Sequence, residues 1–197
     1  MKMSKNYKSI NLGHSIMADC VLSCIKKIMM EPIASAYEPD FVGKPAIGAS
    51  FDDIIFMDKK ATYRKCEISE GSFTATDDVL QCVEMDDSIE ITPEFPYNWM
   101  YDGTKEQSGF EPFKLTLKCK RLVLCFKDSG EIDAAVGDVY VDNKFVKQAD
   151  PYINRWIHCN AMIVIDENEA KEHTFELRLS SEELKKKFTI LGFGIVE

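Results

Sequence analysis

The stretch "FKLTLKC", Phe113–Cys119, decides the fold class. Phe113, Leu115, Leu117 and Cys119 alternate with Lys114, Thr116 and Lys118. A period of two puts one set on each face of a half-buried β-strand and fits no helix. The next segment, "RLVLCF" from Arg121, is a continuous apolar run, as in a central sandwich strand covered on both faces. Downstream, "DVYVDNKFV" reads as a hairpin with Asp142-Asn143 at its turn. "HTFELRL" alternates Phe175, Leu177 and Leu179 with polar neighbours, and "FTILGFGIV" reads as a buried closing strand. "SSEELKKK" between them is a helical turn or a loop.

Upstream, "FDDIIF", "TYRKCEIS", "LQCV" and "DSIEIT" are short and β-leaning, broken by Gly, Ser and Asp. About ten short strands with little helix between them exclude a parallel α/β sheet. They predict a mainly β protein, an antiparallel jelly-roll or galactose-binding-like β-sandwich. The exception is "NLGHSIMADCVLSCIKKIMM", Asn11–Met30. Its apolar positions Ile16, Met17, Cys20, Val21, Cys24, Ile25 and Ile28 recur every three or four residues. Asn11 suits an N-cap, Lys26 and Lys27 favour the negative helix end, and Pro32 stops it. The expected organisation is an N-terminal amphipathic helix within 1–35 and a β-sandwich over 36–197.

The 197 residues carry a net charge of -9, with 45% hydrophobic and 29% charged residues. An acidic surface repels phosphate backbones, so no nucleic-acid partner is expected. No apolar run approaches the ~20 residues that span a bilayer, and "MKMSKNYKSI" has no apolar stretch after its lysines, so neither membrane nor secretion signal is expected. Seven irregularly spaced cysteines, mostly among apolar neighbours, read as reduced thiols of a cytoplasmic protein.

Candidate sites are few. "FPYNWMYDG" alternates Tyr97, Trp99 and Tyr101, which share one side if the segment is a strand, with Asn98 and Asp102 opposite or in the turn. Aromatic rings stack on sugar C–H faces while amides and carboxylates take the hydroxyls, the recipe of small-ligand sites. "DPYINRWIHCN" adds Tyr152, Asn154, Arg155 and Trp156. The competing reading is that these rings fill the core. His158-Cys159 could begin a zinc site, but zinc wants three or four ligands and no second cluster exists, so no metal or cofactor is expected. His14 reads as a first-turn structural residue and His173 as a strand-start polar residue. The acidic runs "DENEAKEH" and "VEMDDS" read as solvated loops, the first as a hairpin loop.

"NLGHSIMADC" resembles the closing segment of SGNH (GDSL-type) hydrolase catalytic domains, where Asp-x-x-His-Pro precedes a Gly-His pair that opens the last helix. Gly13-His14 and the helix to Met30 match that part. The family's catalytic Asp, His and following Pro fall on Lys5, Lys8 and Ser9, so the dyad is missing. No Gly-Asp-Ser occurs, and "KDSG" at Lys127–Gly130 has the wrong order. From residue 110 onward the strand pattern resembles the β-sandwich that follows the catalytic domain in certain bacterial members. The resemblance implies the tail of such a hydrolase: its last catalytic-domain helix plus the accessory sandwich, with no catalytic residue in this chain.

Three readings stand. The first is a non-catalytic accessory module with a carbohydrate-binding face. The second is an interaction module, self-associating or holding a partner chain through the helix face 16–28. The third is a fragment of an SGNH esterase or acylhydrolase whose catalytic domain lies elsewhere.

Overall fold

The computed structural model describes residues 26, 50–51, 53–61, 65–81, 93–106, 109–153 and 156–197. The chain divides into two compact units, Met1–Ala49 and Ser50–Glu197. Of the first, only Lys26 is described, and it is helical; the apolar face of residues 16–28 lies outside the described residues.

The second unit is mainly β. Its eight strands are β1 (Ile55–Met57), β2 (Cys66–Ser69), β3 (Trp99–Asp102), β4 (Phe113–Asp128), β5 (Gly137–Val141), β6 (Lys144–Ala149), β7 (His158–Leu179) and β8 (Lys187–Val196). All strand pairings are antiparallel. Two long strands join two layers. The first half of β4 lies between β2 and the second half of β7, which continues to β5 and β6. The second half of β4 lies between the first half of β7 and β8, whose far edge carries β3 and β1.

Rings from the two layers meet in the middle. Phe113 of the first layer stacks on Phe193 of the second at 5.8 Å, and Phe175 meets the same ring edge-on at 5.2 Å. Trp99 from β3 packs against Phe113 at 5.4 Å. These contacts make the folded-over sheet a sandwich.

The alternation in "FKLTLKC" holds: Phe113, Leu115, Leu117 and Cys119 are all buried. "RLVLCF" is not a separate strand but the continuation of β4. Pairing with β7 slips between Cys119 and Arg121, a β-bulge. Before it the odd residues face the core; after it Leu122, Leu124, Phe126 and Asp128 do. The slip lets one strand serve both layers without a turn residue.

The hairpin turn is as read, with Asp142 and Asn143 at φ of 51° and 62°, the type I′ conformation that Asn and Asp tolerate. Asp142 also clasps β7: its carboxylate accepts from the Thr174 N–H at 2.9 Å and meets His173 Nδ1 at 2.8 Å. His173 therefore lies mid-strand and buried, not at a strand start. "DENEAKEH" turns no hairpin either. β7 runs through it, and because Asp166 faces Arg121 while Lys171 faces Cys119, residues 167–170 bow out from the ladder. "SSEELKKK" is a turn segment. "LQCV" forms no strand at Leu80 and Gln81; its remainder, with all of "DSIEIT" and "VEMDDS", lies outside the described residues.

Candidate functional site

The aromatic residues singled out by the sequence part company. β3 begins at Trp99, so only Trp99 and Tyr101 obey its alternation, and both point inward. Trp99 is 1% exposed, with its Nε1–H donating to Glu70 Oε1 at 3.0 Å. Tyr101 is 2% exposed, and its hydroxyl donates to the Leu184 carbonyl at 2.8 Å. Neither ring has a free face for a ligand, because Phe113 packs on Trp99, and Phe73 and Phe110 pack on Tyr101. Asn98 is fully buried as a clasp: its amide donates to the carbonyls of Asp77 and Phe95 and accepts the Asp77 N–H.

Tyr97 lies before the strand and is exposed, with Lys60 Nζ donating to its hydroxyl at 3.0 Å. Tyr152 and Trp156 are exposed in the β6–β7 connection. Trp156, 57% exposed, stacks on the His158 ring at 4.9 Å. Asn154 and Arg155 lie outside the described residues. The proposed set is thus split between core and surface rather than gathered into one platform.

What the fold does gather is a cleft of about 490 Å³ on the outer face of the second layer. Its floor follows from register. Since Trp99 and Tyr101 face inward, Met100 and Asp102 face outward, opposite Thr189 and Lys187 of β8. On β4, Phe126 and Asp128 are buried inward, so Lys127 turns out to the same floor. One wall is the segment 76–79; the other is formed by residues of 129–134 and by Pro151. Ser129 N–H donates to the Pro151 carbonyl at 2.6 Å and ties two loops together. The backbone of Ala135 and Lys187, and of Lys187 and Asp133, pairs at 2.7 Å and holds that wall against β8.

Asp77 organises the cleft. Buried, it accepts from Lys127 Nζ at 2.9 Å, from the Thr189 hydroxyl at 2.7 Å and from the Val79 N–H at 2.9 Å. Lys127 keeps further N–H donors beyond that bond. Asp102 is gripped by the Thr104 hydroxyl at 2.6 Å and by Lys105 at 3.2 Å. The Thr104 bond, working against burial and joined by Lys105, holds the Asp102 carboxyl below the usual range. Lys187 pairs with Asp133 at 3.4 Å. The lining carries five carboxylates and three ammonium groups. Val79 is exposed in one wall, and Ile132, 90% exposed, stands on the loop that builds the other.

No histidine or cysteine is among the described residues that line the cleft; its titratable groups are carboxylates and ammonium groups. It offers donors, acceptors and an apolar rim, which is binding chemistry. Among the described residues, no group of three or more His, Cys, Asp or Glu is placed to hold a metal ion, and no helix is long and apolar enough to cross a membrane. "KDSG" proves relevant for another reason, since Lys127 and Ser129 line the cleft. Asp77 and Thr189 were not legible as site residues, because nothing local marks them.

No protein-family model matches the chain, and no curated protein matches it. Among solved structures, a two-domain esterase (CEX) active on acetylated mannans, co-crystallised with mannopentaose, aligns at a TM-score of 0.58 and 17% identity, over 94% of this chain and 47% of that one. A second structure of a two-domain esterase (CEX) active on acetylated mannans gives 0.61 and 16% over the same shares. A family two carbohydrate esterase from Cellvibrio japonicus, at 0.36 and 12% over 66% of this chain and 33% of that one, is too distant in shape to support an inference. The chain spans about half the length of the two-domain esterases. At these identities the likeness is one of fold: this chain shares its fold with about half of those two-domain esterases.

Proposed function

We propose that this chain is a non-catalytic accessory β-sandwich that binds carbohydrate beside an esterase catalytic domain. The observation that carries this reading is the cleft. Asp102 and Glu131 can accept sugar hydroxyls, Lys127 and Lys187 can donate to ring and hydroxyl oxygens, and Val79 offers apolar contact. Tyr97, Tyr152 and Trp156 extend the proposal as outlying contacts, with Trp156 supplying an exposed ring face. The Gly13-His14 segment, with Lys5 and Lys8 where an SGNH dyad would stand, supports the finer placement as the C-terminal module of such a hydrolase.

Titration calorimetry with mannopentaose and with an unrelated pentasaccharide tests this. Saturable binding that falls about tenfold in Lys187→Met, a loss of roughly 1.4 kcal/mol for one charged hydrogen bond, is expected. Binding left unchanged by Lys187→Met and Glu131→Gln together refutes the cleft as the site. A second reading, a fragment of an esterase, is favoured by the 47% coverage of the two-domain enzymes. It predicts acetyl-ester hydrolysis only when the chain is joined to a catalytic domain, which an assay of the chain with and without that domain decides.

A further inference from the structure

The cleft does not end at Asp102. A second groove, of about 690 Å³, opens beside it, and Asp102 and Lys105 line both. One stretch of chain also follows both: residues of 71–75 edge the groove, and 76–79 wall the cleft. Backbone pairing sets that course. Ala75 and Met100 exchange hydrogen bonds at 2.9 and 3.1 Å, which lays the stretch antiparallel beside β3. Its start is pinned to the segment before β4. Ser72 N–H donates to the Glu111 carbonyl at 3.0 Å, and Glu111 N–H donates to Ser72 Oγ at 2.9 Å. Gly71, at φ of 53°, lies so close that a Cβ would stand 2.4 Å from the Pro112 carbonyl oxygen.

The groove supplies a ring that is not sealed in the core. Phe110 is half-buried, meets Tyr101 edge-on at 5.3 Å and lines the groove. Ser72 and Thr74 offer hydroxyls beside it, and Glu106 and Glu111 offer carboxylates. The three ammonium groups along cleft and groove are all paired: Lys127 with Asp77, Lys105 with Asp102, and Lys187 with Asp133. Four exposed carboxylates, of Asp78, Glu106, Glu111 and Glu131, have no cationic partner among the described residues.

We propose that cleft and groove form one trough, and that its ligand is a linear, uncharged oligosaccharide crossing the Asp102–Lys105 pair. The proposal rests on the carbohydrate reading of the cleft and extends it. Each cavity falls in the volume range of a small-ligand site, so a short sugar needs only one, and a longer chain fills both. In the groove the chain meets the Phe110 ring, while Thr74 and Glu111 take hydroxyls. An acidic sugar is rejected, because each ammonium group is already neutralised and the exposed carboxylates repel it.

Calorimetry of the full chain with mannobiose, mannopentaose and pentagalacturonate tests this. Mannopentaose should bind about tenfold more tightly than mannobiose, as one or two further hydrogen bonds in the groove would give. Pentagalacturonate should not bind. Thr74→Trp sets a bulky ring at an exposed position of the groove and should abolish the tenfold gain. Glu111→Ala removes one acceptor and should reduce the gain about threefold. Mannobiose affinity should be unchanged in both variants, which also reports that they are folded. The trough is overturned, and the cleft kept, if both mannosides bind the wild type equally or if Thr74→Trp retains the gain. Pentagalacturonate binding as tightly as mannopentaose overturns the uncharged ligand. Failure of every sugar to bind overturns the carbohydrate reading itself, and the trough with it.

Discussion

Replacing Lys127 with Met keeps the length and apolar stem of the side chain but removes the ammonium group that reaches Asp77 at 2.9 Å. The side chains of the pair are 14% and 8% exposed, so the carboxylate left behind is nearly dry. Breaking a buried pair in this way costs about 3–5 kcal/mol. Asp77 would keep the Thr189 hydroxyl and the Val79 N–H, and the open cleft lies beside it, so about 3 kcal/mol is expected. For a unit of this size that lowers Tm by roughly 6–12 °C. Asp77→Asn retains the shape and the Val79 bond while removing the charge, and should cost about 2 kcal/mol. With both groups gone, no buried charge is stranded, so the double variant should be less destabilised than the sum by on the order of 1–2 kcal/mol. Urea unfolding of the four proteins, with unchanged m-values, measures this cycle. Additivity within about 0.5 kcal/mol, or a Lys127→Met cost below that figure, would refute the view that this pair holds the 76–79 wall against β4 and β8.

Trp99→Phe and Trp156→Phe each leave one tryptophan, since the chain has two. The variant retaining Trp99 should emit at short wavelength and resist quenching by iodide, and the variant retaining Trp156 should do neither; the reverse pattern would invert the assignment of core and surface. Gly192→Ala sets a Cβ 2.3 Å from the Phe56 ring and 2.7 Å from the Met57 carbonyl, so a loss of about 1–3 kcal/mol is expected in thermal unfolding. Asn143→Gly should raise stability by a few tenths of a kcal/mol and Asn143→Val lower it by about 1–2, because φ of 62° suits the first and strains the second. Asp102, whose carboxyl is held below the unfolded value, adds stability that is present above about pH 4 and is lost as pH falls through its lower folded value. Tm should therefore drop on acidification below about pH 4 less steeply in Asp102→Asn than in the wild type.

The strands legible in the sequence are those with one buried face. Phe113, Leu115 and Leu117, and likewise Phe175, Leu177 and Leu179, show the period of two because their outward neighbours are polar: Lys114 meets water, and Glu176, buried, is paired with Lys114 and Arg178. The Asp142-Asn143 turn was legible because few residues accept two consecutive positive φ angles. The unity of β4 was not. Its bulge falls at Lys120 and Arg121, with neither Gly nor Pro, and a one-residue slip looks like the end of one strand and the start of another. The aromatic alternation in "FPYNWMYDG" gave a shared side for Trp99 and Tyr101 but not which side. That was settled by Phe113 and Phe193, which approach from other segments. The cleft was beyond reach, because Asp77 and Thr189, whose hydrogen bond holds it together, are 112 positions apart.

β8 explains why the open polar site lies where it does. Phe188, Ile190, Phe193 and Ile195 fill the core, and a slip between Cys125 and Phe126 of β4 keeps both halves in phase with it. The outward residues divide into two kinds. At one end stand Lys187 and Thr189, whose polar groups need partners and find them in Asp133 and Asp77. At the other stand Gly192 and Gly194, where a Cβ would strike the side chains of Phe56 and Ile54. The glycines are thus what lets those two side chains lie flat on the strand. One face of one strand is sealed by apolar groups where it lacks side chains and lies open as a polar cleft where it has them. The same "KFTILGFGIV" that closes the core therefore also sets the boundary of the site.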